Sequence, residues 1–155
     1  AALPGRRVFR AIGQRAAIAA DFAGCPPGRV TFRGALDPQA VAATLADGDL
    51  FAWPGLREAY GLVYLEAQAA GLPVVAFDSG GVPATVERDV TAFLEPSGDD
   101  AALARSRGRL LDDAPLRRRM GQAASRVVRT PRKTDRAGAT TAAGLALACE
   151  AKARR

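Results

Sequence analysis

The sequence predicts an α/β fold, a parallel sheet flanked by helices, on three observations. Short apolar runs alternate with segments of helical periodicity along residues 30–129. One run, Val74-Val75-Ala76-Phe77, is continuously apolar and rich in β-branched residues, as in a strand buried on both faces. Glycine and proline punctuate the junctions where helices should start and stop.

The elements follow in order. Val8, Phe9, Ile12, Ala16, Ala19 and Ala20 repeat near the helical period, which predicts a helix over Arg6–Phe22, ended by Gly24, Pro26, Pro27 and Gly28. Val30-Thr31-Phe32 reads as a strand. Asp37 before Pro38 is an N-cap with proline at the first helical position, so a helix should run from Pro38 to Ala46. Gly48 closes it, and Leu50-Phe51-Ala52-Trp53 follows as a strand, with Phe51 and Trp53 expected in the core. A helix from Leu62 should stop at Gly71, with Pro73 just beyond. Val74–Phe77 is the next strand. Pro83 opens a short helix toward Glu87, and Thr91–Leu94 is the last strand. Ser97 or Asp99 caps a helix reaching about Leu111, and Pro115 begins another ending near Arg129. Thr130-Pro131 breaks the chain, so residues 1–129 are expected to form one partial domain and residues 130–155 a C-terminal helix or tail.

Composition narrows the chemistry. The chain has 155 residues, 48% apolar and 25% charged, which suits a globular protein rather than a disordered one. It contains no histidine, which excludes a Ser-His-Asp triad, a Cys-His dyad and a His-ligated metal supplied by this chain. Cys25 and Cys149 are too few for a disulfide framework and read as thiols of a reducing compartment, so a cytoplasmic location is expected. No apolar run approaches the ~18 residues of a membrane span, and Arg6, Arg7 and Arg10 are followed by no apolar core, so no leader is expected. Residues 1–100 carry eight basic and 12 acidic groups, whereas residues 101–155 carry 14 basic and four acidic ones, so the net +6 is concentrated at one end. No aromatic residues interleave with these arginines to stack on bases, so nucleic acid is not expected as a partner. Arg117-Arg118-Arg119 reads as a solvated helix face, with peripheral contact to anionic membrane as the alternative. Asp47-Gly48-Asp49 has the spacing of a metal-binding Asp-x-Asp but sits between a helix end and a strand start, so no metal is expected there.

In a parallel sheet, ligands bind beyond the carboxyl ends of the strands. The loop after Trp53 is the most informative of these. It holds Glu58, then Tyr60, Gly61 and Leu62 at a helix start, with Glu66 a little over one turn into the helix. Backbone amides at a helix N-terminus, with a glycine permitting close approach, make a ready phosphate site. Carboxylates on either side suit sugar hydroxyls, so phosphate flanked by Glu58 and Glu66 describes a nucleotide sugar. The plainer alternative is a first-turn Glu58 favoured by the helix dipole and a solvated Glu66.

The stretch Glu58-Ala59-Tyr60-Gly61-Leu62-Val63-Tyr64-Leu65-Glu66-Ala67-Gln68-Ala69-Ala70-Gly71-Leu72-Pro73-Val74-Val75-Ala76, with Gly80-Gly81-Val82-Pro83 after it, closely resembles the donor half of group 1 glycosyltransferases of the GT-B fold. The likeness covers about residues 29–128. It implies a Rossmann-like parallel sheet, the incomplete C-terminal half of a GT-B fold. It also implies a retaining glycosyltransferase that moves a hexosyl group. By position, Glu58 would bind hydroxyls of the transferred sugar as the catalytic-site acid, Glu66 the ribose diol, and Tyr60, Gly61 and Leu62 the diphosphate. Gly80 and Gly81 would line the same crevice. The implied donor is a UDP, GDP or ADP sugar, without further cofactor. The acceptor, a saccharide or lipid, would belong to an N-terminal domain. The family's opening strand with its Arg and Lys, and the strand before the Arg6–Phe22 helix, are expected to be absent. The chain alone is therefore expected to be inactive. Two other readings compete: a non-catalytic module using the basic C-terminal third on acidic lipid or nucleic acid, and a sugar-nucleotide epimerase of the same fold.

Overall fold

The computed structural model describes residues 9–12, 27–55 and 61–129, and the chain divides into two compact units at Val41/Ala42. In the first unit, β1 (Phe9–Ile12) pairs in parallel with β2 (Val30–Gly34), with Phe9 opposite Val30 and a register irregularity between Ala11 and Ile12. This corrects the helix expected over Arg6–Phe22 and the expected lack of any strand before residue 30. Phe9-Arg10-Ala11-Ile12 is too short a window for periodicity to separate helix from strand, and pairing with β2 decides between them. Residues 13–22 of that expected helix lie outside the described residues.

Helix α1 (Pro38–Ala46) has the expected bounds. The Asp37 carboxylate accepts the Ala40 amide at 2.8 Å, which satisfies one of the free donors at the helix start.

The second unit contains a three-stranded parallel sheet in the order β3 (Phe51–Trp53), β4 (Val74–Phe77), β5 (Ala92–Glu95). All four residues of the central strand are buried, as its unbroken apolar run requires. Phe51 and Trp53 are only half-buried, contrary to their expected core position, because β3 is an edge strand among the described residues. Three helices accompany the sheet after α1: α2 (Leu62–Ala69), the short α3 (Val82–Thr85) and α4 (Asp100–Asp112); the last, α5 (Ala114–Arg129), follows α4 almost directly. Asp99 rather than Ser97 caps α4, accepting the Ala102 amide at 2.8 Å, and Asp113 caps α5 through the Leu116 amide at 2.8 Å.

The core joins Val75 and Phe93 of the sheet to Leu110 of α4 and to Leu116 and Met120 of α5. Each of these large side chains contributes roughly 1.5–3 kcal/mol by leaving water. The Arg109 guanidinium lies 5.0 Å from the Phe93 ring centre, and Phe51 meets Tyr64 of α2 edge to face at 5.8 Å.

Helix α2 ends in a Schellman arrangement: the Leu72 amide donates to the Ala67 carbonyl at 3.0 Å and the Gly71 amide to the Gln68 carbonyl at 2.9 Å. Gly71 has a φ of 73°, a conformation that glycine takes without strain. Its carbonyl then meets α5 at Gly121, where an added Cβ would lie 2.4 Å from the oxygen. Two glycines thus permit the closest approach of the α2 terminus to α5. Gly121→Ala should therefore lower the stability of the chain by about 1–3 kcal/mol in denaturant unfolding.

Candidate functional site

Three loops follow the carboxyl ends of β3, β4 and β5, and two of them carry the expected ligand-binding residues. Gly61 starts α2 with a φ of 63°. It is also sterically confined: an added Cβ would lie 2.8 Å from Tyr64 Cδ2 and 3.4 Å from Thr85 Cγ2. Backbone conformation and space both demand glycine here. The Gly61 carbonyl accepts the Tyr64 amide at 3.0 Å, so the helix winds tightly from its first residue. Gly61 is buried, whereas Leu62 is 38% exposed. Amides at the start of a helix carry a partial positive charge toward whatever lies beyond it.

Glu66 stands on the same helix, half-buried. Desolvation by its surroundings raises its pKa above the usual carboxylate range. Glu66 is thus neither an ordinary solvated helix residue nor a core residue.

Gly80 and Gly81 form the turn between β4 and α3, on the strand next to β3. Two sets of contacts hold this loop. From below, fully buried Gln68 of α2 donates from Nε2 to the Thr85 carbonyl of α3 at 2.8 Å and to the Tyr64 carbonyl at 3.1 Å. Thr85 in turn donates its hydroxyl to the Val82 carbonyl at 2.8 Å. From the side, Asp78 at the end of β4 forms an ion pair with Arg88, and Arg88 also donates to the Leu94 carbonyl of β5 at 2.7 Å. The Ser97 hydroxyl reaches the Asp78 carbonyl at 3.0 Å from the loop after β5. The loops after β4 and β5 are therefore tied together.

Of the residues expected at the site, Gly61, Leu62 and Glu66 share α2, and Gly80-Gly81 lies on the adjoining loop. Glu58 and Tyr60 lie outside the described residues. Sequence reasoning missed Gln68, Thr85 and the Asp78–Arg88 pair. A signal for Gln68 exists: it is the one polar residue in Ala67-Gln68-Ala69-Ala70, where burial without a partner is costly.

Elsewhere the expected alternatives take ordinary structural roles. The Gly48 amide donates to the Leu45 carbonyl at 2.9 Å, closing α1, and Asp49 lies 3.7 Å from Arg117 Nε. Among the described residues, no group of three or more His, Cys, Asp or Glu side chains is placed to hold a metal ion. Arg117 donates to the Leu110 and Leu111 carbonyls at 2.8 and 3.2 Å, capping α4, while Arg118 and Arg119 are exposed. No helix among the described residues is long and apolar enough to cross a membrane.

The raised pKa of Glu66 has a consequence for stability. The folded chain holds a proton on Glu66 more tightly than the unfolded chain does. The contribution of this group is fully present below the ordinary glutamate value of about 4.3 and is lost as pH rises through the raised value. Glu66→Gln removes the desolvated charge, so it should raise the melting temperature at pH 7, with the gain disappearing below about pH 4.

The family profile "Glycosyl transferases group 1" matches residues 26–127. A D-inositol 3-phosphate glycosyltransferase of Corynebacterium efficiens is 41% identical over 94 residues, covering 61% of this chain and 22% of that protein. The sucrose-phosphate synthase of Thermosynechococcus elongatus is similar in structure with a TM-score of 0.65 and 32% identity, over 74% of this chain and 28% of the other. HepE of Anabaena, solved in complex with UDP, shares the fold with a TM-score of 0.73 at 21% identity, over 98% of this chain and 42% of the other. The chain thus spans about a fifth of the curated relative that it matches.

Proposed function

The chain belongs to the group 1 glycosyl transferase family, and on that premise we propose that the crevice beyond β3 and β4 binds the nucleotide-sugar donor of a retaining hexosyltransferase. The observation that carries the proposal is the combination on α2 of a glycine-started helix N-terminus with a half-buried, desolvated carboxylate. The amides of Gly61 and Leu62, with Tyr60 beside them, receive the diphosphate, whose charge complements the helix terminus. Glu66 accepts hydrogen bonds from the ribose diol. Glu58 accepts hydroxyls of the transferred sugar. The Gly80-Gly81 loop forms the facing wall, braced by Gln68 and by the Asp78–Arg88 pair.

In this reading the two glutamates orient the donor and stabilise positive charge developing on the sugar; neither attacks it. Retention then follows from acceptor attack on the face that the diphosphate leaves, with the departing diphosphate taking the acceptor proton. The acceptor, a saccharide or lipid, is held by a second domain, so the chain by itself binds donor without turning it over. The donor is a UDP, GDP or ADP sugar. A UDP donor has the support of HepE, a protein of the same fold solved with UDP.

A calorimetric titration of the chain with UDP-, GDP- and ADP-glucose tests this. One of them should bind saturably. Glu66→Ala should weaken it by about ten- to a hundredfold, the loss of one or two charge-assisted hydrogen bonds. Glu58→Ala should weaken the nucleotide sugar more than the free nucleotide. Affinity should also fall as pH drops through the raised pKa of Glu66, because the ionised carboxylate is the stronger acceptor for the two hydroxyls, and Glu66→Gln should abolish that dependence. Equal, negligible effects of both glutamate changes would reject the assignment.

A further inference from the structure

Helix α2 is covered on nearly every side. Of its eight residues, Tyr64, Leu65, Ala67, Gln68 and Ala69 are buried, so Leu62, Val63 and Glu66 are the ones left within reach of a ligand. On a regular helix these three fall within an arc of about 100°, with Glu66 between the two aliphatic residues and one turn further along. The uncovered surface is thus one short strip. It lies at the end of the helix that carries the free amides.

The strip is more apolar than an open helix face should be. Among the described residues, only Leu62 and Val90 are large apolar side chains left exposed. An isolated exposed leucine carries no message. Leu62 is not isolated: half-buried Val63 adjoins it, and half-buried Glu66, four residues on, is its neighbour across one turn. Cα–Cβ bonds tilt toward the helix N-terminus, which leans Glu66 toward the turn that holds the two aliphatic residues. The desolvation that raises the Glu66 pKa fits such neighbours. Within about 6 Å of axis, α2 therefore offers anion-binding amides, an aliphatic surface and a carboxylate. A ligand that satisfies all three carries a phosphate, a ring with C–H groups on one face, and vicinal hydroxyls. A pentose 5-phosphate has these groups in that order, with one ring between phosphate and diol, a span comparable to one helical turn.

We propose that Leu62 is a specificity-determining residue of the donor site: its side chain, with that of Val63, is the apolar surface on which the pentose ring of the nucleotide rests. This contact presupposes the donor reading above, and it is made by a side chain where the diphosphate contacts are made by backbone. It makes the ribose, not the base, the part of the nucleoside that α2 recognises. Apolar contact gives affinity, and the few polar groups beside it fix orientation.

The test uses the full chain with UDP. In NMR spectra of the complex, nuclear Overhauser effects are expected between the Leu62 methyl groups and the C–H protons of the ribose. In calorimetric titrations, Leu62→Ala and Leu62→Asn should each weaken UDP by about three- to tenfold, while Leu62→Met should stay within about twofold of the unaltered chain. Inorganic pyrophosphate, which has no pentose, should bind the unaltered chain and Leu62→Ala equally. Val90→Ser, at the other exposed apolar residue, should leave UDP affinity unchanged. Three results would overturn the proposal. One is contact from Leu62 to the uracil alone, or to no part of the nucleotide. Another is UDP affinity that ignores Leu62→Ala and Leu62→Asn; if Glu66→Ala still weakens UDP, the donor reading survives that result. The third is an equal loss for UDP and pyrophosphate in Leu62→Ala, which would place the effect on the helix start. Failure of UDP to bind the unaltered chain would overturn this contact and the donor reading together.

Discussion

The buried amide of Gln68 is the tie on which the rest of the proposed donor crevice depends. Its Nε2 spans from one turn of α2 to the last carbonyl of α3, linking the helix that carries Glu66 to the loop that carries Gly80-Gly81. Removing a buried donor of this kind takes the side-chain partner from the Thr85 carbonyl, at a cost of about 1–3 kcal/mol. An aliphatic side chain of similar volume would fill the space but lose the tie. The tie sits under the crevice rather than in it, so it acts on the ligand only through the placement of other groups.

The surroundings of α2 reinforce the same placement. Gly61 at one end and Gly71 at the other both take left-handed conformations, which confines the helix to eight residues between two sharp turns. Gly121 then lets α5 close on the Gly71 carbonyl. Tyr64 packs edge to face on Phe51 and so locates the helix over β3. The helix has little freedom to slide or rotate. That rigidity is what a half-buried carboxylate needs if it is to be held, charged, toward a ligand instead of rotating into water.

Much of this was legible in the sequence, for physical reasons that differ between elements. The bounds of α1 follow from Asp37-Pro38, and β4 follows from four consecutive apolar residues; both signals are local. The stop of α2 was legible because Gly71 and Pro73 leave few other conformations. Phe9–Ile12 was misread because a four-residue amphipathic run carries too little periodicity to separate helix from strand, and its partner lies some 20 residues away at Val30–Gly34. Gln68, Thr85 and the Asp78–Arg88 pair were illegible for another reason: each depends on contacts between elements brought together only by the parallel sheet. The start of α2 at Gly61-Leu62 was readable from the motif, and Glu66 was placed on that helix. The desolvation of Glu66 was not readable, since burial is a property of the packed chain.

In the proposed function, α2 presents an amide-lined terminus and a desolvated carboxylate to one nucleotide sugar. A crystal structure of the chain soaked with UDP-glucose tests it most directly. The diphosphate should lie within hydrogen-bond distance of the Gly61 and Leu62 amides, and the ribose hydroxyls on the Glu66 carboxylate. A nucleotide bound elsewhere, or one bound here with Glu66 turned away from the ribose, would contradict it.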